Sequence, residues 1–257
     1  MGMQTAGAQS LGRAFGILEI LAAHEGEMAL AEVAERSGLN KSTVHRILSA
    51  LTELGYVRSA DGRYSLTLKM FEVGSMPLSR LDITAIARSH LERLRDAAQE
   101  TVHLVTLDQC DIVYIQKLEC SSNAYQMASH IGMRRAAYCT AAGKSILSTM
   151  TDRQAQDVFE ASDVKPITAR TITDFEQLRP ELAQARQTQV TFDEEENEPG
   201  MRCVASPIRD YTGRARYAIS LSAPLVRMDD ERMAELVPLL RQTSADISAE
   251  LGFKGSA

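Results

Sequence analysis

Tryptophan is absent from this chain of 257 residues, phenylalanine occurs only six times, and the four cysteines stand alone. With so few aromatics, a cavity walled by large rings is a poor expectation. Cys110, Cys120, Cys139 and Cys203 show neither the paired spacing of a zinc site nor a disulfide framework, and reduced thiols in a bacterial-type cytoplasm are expected. No apolar run approaches the length needed to span a bilayer, and residues 1–9 lack the charged and apolar regions of an export signal. Internal repeats and low-complexity stretches are missing too. No nucleophile elbow or other catalytic pair stands out, so no catalytic residue is assigned and an enzyme is not expected. The expectation is a cytoplasmic protein with no membrane segment, metal or cofactor.

An excess of basic charge is also missing, since the net charge is −6. Its distribution matters more than its sum. Residues 1–70 carry seven Lys/Arg against seven Asp/Glu, so the remainder holds the whole deficit. A neutral head attracts phosphates only weakly, and useful affinity for nucleic acid then requires two or more heads plus direct base contacts.

What is present in that head is more informative. Leu30, Val33 and Ala34 give one helix an apolar stripe, and Ser37-Gly38 breaks it. Asn40 is suited to cap a second helix, in which Val44, Ile47, Leu48 and Leu51 face inward. Lys41, Ser42, His45, Arg46 and Ser49 then share the opposite face, with Thr43 at its flank. That face offers donors to base edges and carries no carboxylate. After it, Tyr56-Val57-Arg58 and Arg63-Tyr64-Ser65-Leu66 alternate around Asp61-Gly62, a strong hairpin signal, placing Arg58 and Arg63 beside a groove to touch phosphates. A solvated amphipathic helix and plain surface arginines are the bland alternatives. Helix, turn, cap and wing together favour a winged helix-turn-helix on double-stranded operator DNA.

Around this unit, periodicity predicts a helix over Ser10–Ala23 and a short one over Thr67–Gly74. A Pro-marked joint at Met76-Pro77-Leu78 precedes a connecting helix over Asp82–Gln99. Its apolar stripe also suggests a pairing surface. Beyond Glu100 the period becomes two. Strands are expected at Thr101–Leu107, Ile112–Leu118, Tyr125–Ser129, Cys203–Arg209 and Ala215–Ser222. Helices are expected at Ala142–Met150, Asp152–Ala161, Asp174–Thr188 and Asp229–Leu251. The fold class is α+β, with an antiparallel sheet able to hold a small-molecule pocket. The division reads 1–75 for the DNA-binding domain, 76–99 for the linker and 100–257 for the effector domain.

The chain resembles the IclR family of bacterial transcription regulators. Four stretches carry the likeness: Ser10-Leu-Gly-Arg-Ala-Phe-Gly-Ile-Leu-Glu19, Leu39-Asn-Lys-Ser-Thr-Val-His-Arg-Ile-Leu48, Tyr138-Cys-Thr-Ala-Ala-Gly-Lys144 and Asp193-Glu-Glu-Glu-Asn-Glu-Pro-Gly-Met-Arg-Cys203. With Ala218-Ile-Ser-Leu-Ser222 they fall in the family's order and spacing. The resemblance implies a winged-helix head, a linker helix and a GAF-like effector domain, assembled as homodimers or homotetramers. Tyr64 to Glu72, Glu100 to Leu104, Asp111 to Ile115 and Ala245 to Phe253 are most similar to regulators of sugar-acid catabolism, which respond to 2-keto-3-deoxygluconate or ketogulonate-type acids.

By that resemblance Ala141, Ala142, Gly143, Asp193, Cys203, Ser220 and Ser222 line the effector cavity. The chemistry agrees: a helix start offers backbone N–H groups to an anion, two serines two apart share one strand face, and Asp193 can accept from a sugar hydroxyl. Arg134, Arg135 and Arg202 are candidates to pair the acid group. Glu194 to Glu198 reads as a solvated loop, and His103 as core or pocket lining. His130 near Cys139 offers a metal site only faintly, and serines satisfied by backbone are the bland reading of Ser220 and Ser222. The expected function is a ligand-responsive repressor of a carbohydrate or sugar-acid operon. The alternatives are an activator of aromatic-acid or oxo-acid catabolism, or an enzyme using the same pocket.

Overall fold

The computed structural model describes residues 6–70, 72–73, 82–120 and 127–255. They divide into two compact units, Met1–Leu81 and Asp82–Ala257.

In the first unit, α1 (Ala6–Ala22) is followed by β1 (Met28–Ala29), α2 (Leu30–Ser37) and α3 (Lys41–Glu53), then by β2 (Val57–Ala60) and β3 (Arg63–Leu66). Gly38 ends α2 in the left-handed region (φ 65°), and Asn40 opens α3 by accepting the Thr43 N–H at 2.8 Å. Both match the expected turn and cap. Val44, Ile47, Leu48 and Leu51 are buried with Ile17, Leu21, Val33 and Met28 in one core. The hairpin turns at Asp61-Gly62, both with positive φ, as a two-residue turn of this kind requires. A contribution that periodicity did not show is β1, which adds to β3 and makes the wing three-stranded, in the order β1-β3-β2. Of the helix expected at Thr67–Gly74, residues 69–70 and 72–73 are helical, and the rest is not fully within the described residues.

The second unit begins with α4 (Ile83–Ala98), whose cap Asp82 accepts the Thr84 N–H at 2.9 Å. Strands β4 (Thr101–Asp108), β5 (Asp111–Leu118), β6 (Arg134–Ala136), β7 (Thr191–Glu194), β8 (Met201–Arg209) and β9 (Ala215–Pro224) form one antiparallel sheet, ordered β6-β5-β4-β9-β8-β7. Between β6 and β7 lie α5 (Ala141–Ser148), α6 (Asp152–Ala161) and α7 (Phe175–Thr188), and α8 (Asp230–Glu250) closes the chain.

Alternation along the strands sends side chains to two different cores. Val102, Leu104, Val204, Ile219 and Leu221 pack with α4 and α8 through Ala87, Leu91, Leu94, Leu236 and Leu240. The opposite face carries Val105, Ala205 and Ala218 against Ile146, Leu147, Leu178 and Leu182 of α5 and α7. The apolar stripe of the connecting helix is therefore spent inside its own domain: Ile83, Ala87, Leu91, Leu94 and Ala98 are all buried. It is not a free pairing surface. Two further expectations change. Of the strand expected over Tyr125–Ser129, residues 127–129 are not strand and the others lie outside the described residues. The edge strand is instead Arg134–Ala136. On the other edge, Thr191–Glu194 is a strand that was not expected.

Candidate DNA-reading face and effector cavity

On α3, Lys41, Ser42, His45 and Arg46 are exposed, while Thr43 and Ser49 are half-buried at the flanks. Among the described residues Lys41, His45 and Arg46 make no ion pair. Ser42 donates to the cap oxygen of Asn40 at 2.8 Å, so its hydroxyl already serves the helix start. The wing arginines are more committed than the sequence suggests. Arg58 Nη2 lies 3.0 Å from Glu27 Oε1, and Arg63 Nη2 donates to the Glu27 carbonyl at 2.9 Å. Both remain largely exposed, and such surface pairs exchange readily for a phosphate partner. The reading face is thus an open strip of donors with two tethered arginines beside it.

In the second unit the Asp193, Cys203, Ser220 and Ser222 side chains come together on the sheet face that looks toward α5. Register produces this directly: Asp193 pairs with Cys203, Cys203 with Ser222, and Ser220 with His103. Paired residues share a face. These four, with Ala141 and Ala142, line a small cavity whose other walls include Tyr114, Ser129, Arg135, Asn197, Glu198 and three methionines.

Gly143 plays a different part. Its N–H donates to the Thr140 hydroxyl at 3.2 Å, and a Cβ on it would lie 2.2 Å from the Ala137 carbonyl oxygen. Glycine is there because α5 crosses the backbone of Ala137 in contact, and its amide is not offered to the cavity. Ala141 and Ala142, at the same helix start, are the two of this run that line the cavity.

Of the three candidate arginines, only Arg135 lines the cavity. Arg134 is bound outside it to Asp108 and Asp111 at 2.7 and 3.1 Å. Arg202 is held by Glu194 and Asp230 at 2.6 and 2.9 Å. The Arg135 guanidinium donates to the Arg134 carbonyl at 3.1 Å and, among the described residues, has no carboxylate partner.

The acidic run from Glu194 to Glu198 is not simply solvated. Glu196 is buried, with Oε1 2.5 Å from the Lys144 ammonium, which also meets Glu181 Oε2 at 2.7 Å. Sequence reasoning missed this pair. The signal was available: α5 reads Ala-Ala-Gly-Lys-Ser-Ile-Leu-Ser and is buried along its whole length, so its one lysine must find a buried acid. Burial opposes the Lys144 charge, but Glu196 and Glu181 together hold its ammonium above the usual lysine range. Burial lifts Glu196 to about 7, with Lys144 pulling against it. Asp193 rises to about 6, again through burial, while its Oδ1 accepts the Glu196 and Asn197 N–H groups at 2.8 and 3.4 Å.

His103, Tyr114, Cys139 and Cys203 around the cavity are neutral. Burial and the nearby Lys117 charge push His103 down to about 3. It packs edge-on to Tyr114 and lies 2.9 Å from the Ser129 hydroxyl. Desolvation holds the Cys203 thiol and the Tyr114 phenol well above their ordinary ranges, and takes Cys139 to about 12. Among the described residues the Asn197 side-chain oxygen is buried without a partner, an acceptor that the sequence did not single out. His130 is exposed and bonds its neighbour's carbonyl. A larger groove of about 680 Å³ opens beyond Lys144 and Glu196, but it contains none of the Asp193, Cys203, Ser220 and Ser222 set. Among the described residues no helix is long and apolar enough to cross a membrane.

Both halves of the chain match known proteins. Residues 10–61 match the IclR helix-turn-helix domain, and residues 76–249 match the bacterial transcriptional regulator IclR C-terminal domain. The chain is 38% identical to the HTH-type transcriptional regulator KdgR of Escherichia coli (strain K12), covering 94% of this chain and 92% of the relative. It is also 38% identical to the DNA-binding transcriptional repressor YiaJ of the same organism, over 96% and 89% respectively. Among solved structures, the Agobacterium tumefaciens repressor BlcR is similar with a TM-score of 0.76 and 31% identity, covering 98% of this chain and all of that one. With a helix-turn-helix head, a curled antiparallel sheet in the second unit and relatives matched nearly end to end, the chain belongs to the IclR family of bacterial transcription regulators.

Proposed function

We propose that the protein is a sequence-specific repressor whose grip on operator DNA is set by a hydroxylated oxo-acid of about six carbons, a sugar acid. In this reading residues 1–75 read DNA, 76–99 connect, and 100–257 sense the ligand. The observation that carries the ligand class is Arg135, a cavity-lining guanidinium without a carboxylate partner among the described residues. Arginine pairs a carboxylate through two parallel hydrogen bonds. Across the same cavity, the Ser220 and Ser222 hydroxyls, the Asn197 oxygen and Asp193 supply donors and acceptors for several sugar hydroxyls. Among the described residues Tyr114 is the one aromatic ring in the lining, which disfavours an aromatic acid.

As it stands the cavity holds about 30 Å³, far below the roughly 300–1,000 Å³ of ligand pockets. Entry of a six-carbon acid therefore moves the walls, and Met127, Met133 and Met201 are the adaptable ones. The ligand then acts only through its differential affinity for the two arrangements of the domain. Because the head is neutral, operator binding uses two or more heads, as a homodimer or homotetramer supplies.

The test is fluorescence anisotropy of the protein on its own upstream DNA at fixed salt, titrated with 2-keto-3-deoxygluconate, ketogulonates, glyoxylate and protocatechuate. A sugar acid is expected to change operator affinity, and Arg135→Gln to abolish that response while leaving ligand-free operator binding intact. A response to protocatechuate alone, unaffected by Arg135→Gln, refutes the sugar-acid reading.

A further inference from the structure

The charge around the cavity does not balance. Asp193 on β7 and Glu196 in the loop after it are both buried, and Glu181 on α7 is half-exposed. Among the described residues Lys144 on α5 is the one ammonium in contact with this group, and its two ion pairs go to Glu196 and Glu181; Arg170, paired with Glu195, and Arg241 line the outer groove beside Glu196 without an ion pair to it. Among the described residues the hydrogen-bond partners of Asp193 are backbone N–H groups. Among the same residues Glu196 Oε2 is buried without a donor. Glu194 next to Asp193 is satisfied by Arg202 on the outer side. Glu198 adds a further carboxylate to the lining, and Arg135 is the cation opposite. The Cys139, Cys203 and Tyr114 protons stay in place near neutral pH.

An acid ligand brings one more negative charge into this small space. Arg135 can pair that charge, and among the described residues lining the cavity no other cation is then left to face Asp193 and Glu198. Like charges forced together in a dry site favour protonation of one of them. Both buried carboxylates are poised for it, since Glu196 already lies near 7 and Asp193 near 6. They are also mechanically joined: Asp193 holds the Glu196 backbone N–H, and Thr168 and Thr171 hold the Glu196 carbonyl.

We propose that the cavity takes up its acid effector together with a proton, which passes from solvent to a carboxylate oxygen of the Asp193–Glu196 pair, with Lys144 as the residue that positions the pair. This rests on the acid-effector reading above. The O–H formed on the carboxylate is matched by the bond to hydrogen broken in the donor, hydronium or a buffer acid, and no other covalent bond changes. In consequence the acid binds more tightly as pH falls, and the regulator reads ligand and acidity together.

The experiment is calorimetry of the full-length protein with 2-keto-3-deoxygluconate in phosphate, HEPES and Tris, buffers that differ in ionisation heat. At pH 7.5 the expected uptake is about half to one proton per site, with affinity weakening up to about tenfold per pH unit toward pH 9. Glu196→Gln keeps the side chain's shape and is expected to cut the uptake, and Asp193→Asn with Glu196→Gln to abolish it. A merely structural role for these residues would alter affinity without altering proton number. Binding with a heat independent of the buffer overturns this inference and leaves the effector reading standing. Absence of binding heat overturns the sugar-acid reading and this inference with it.

Discussion

Replacing Lys144 with methionine keeps most of the side chain's length and removes its charge, which largely isolates what that charge does. Lys144 is 1% exposed and Glu196 4%. Stranding one member of so buried a pair costs about 3–5 kcal/mol when the remaining group stays charged. The contact with Glu181 adds little, because that carboxylate is 45% exposed and screened pairs contribute about 0–1 kcal/mol. Glu196 has an escape, since it can take a proton. Its folded value of about 7 lies above the ordinary 4.5, so the folded state binds the extra proton between these limits. The stability this confers is complete at low pH and is lost as pH rises through about 7. Without Lys144 the folded value climbs further. Lys144→Met should then lose only about 1 kcal/mol at pH 5, where Glu196 is neutral, and about 3–5 kcal/mol at pH 8. Urea unfolding followed by far-UV circular dichroism at several pH values measures this. Lys144→Met with Glu196→Leu should recover most of the loss at pH 8, because no charge is left stranded. An equal loss at every pH, or a double variant no better than the single one, refutes the reasoning.

Gly143→Ala should destabilise the second unit by about 1–3 kcal/mol or more, because the new Cβ meets the backbone of Ala137 at 2.2 Å and backbone cannot step aside; a wild-type melting temperature would show that this close crossing does not exist. Arg46→Ala and Lys41→Ala should leave folding intact, and each should weaken operator binding by about 1–3 kcal/mol if it contacts a base edge. Where the side chain meets a phosphate instead, its removal lowers the salt slope by about one and weakens all sequences alike. Wild-type affinity in both variants across a salt series removes α3 from the interface.

Local signals made the head legible. Helix spacing, the Asn40 cap, the Gly38 break and the Asp61-Gly62 turn each act within a few residues, and each is found where the pattern put it. In the second unit the long elements were equally readable, whereas the edges were not. β6 spans three residues, two of them arginines, and β7 spans four with two acids. Neither offers enough alternation to distinguish a short edge strand from a loop. β1, two residues long, exists only because β3 lies beside it. The Lys144–Glu196 pair joins positions 52 residues apart, and no local rule reports which of five consecutive polar residues turns inward. Resemblance supplied the membership of the cavity set but not the role of Gly143, which depends on a backbone crossing that only coordinates reveal. Nor could it rank the three arginines, since what separates them is which already have acid partners.

Selection of Arg135 also bears on how a ligand could be felt outside the cavity. β5 provides two of its walls, Ile112 and Tyr114, and pairs with β6, which carries Arg135. The same strand carries Gln116, whose amide donates to the Thr84 carbonyl in the first turn of α4 at 2.9 Å. A ligand that parts β6 and β5 from α5 therefore pulls on a strand already bonded to the start of that helix. The rest of α4 is pinned by Leu91 and Leu94 in the opposite core, where close packing leaves little room to deform. The two faces of the sheet differ in composition: the α4–α8 face buries mainly apolar side chains, and the α5 face holds the polar groups and methionines that line the cavity.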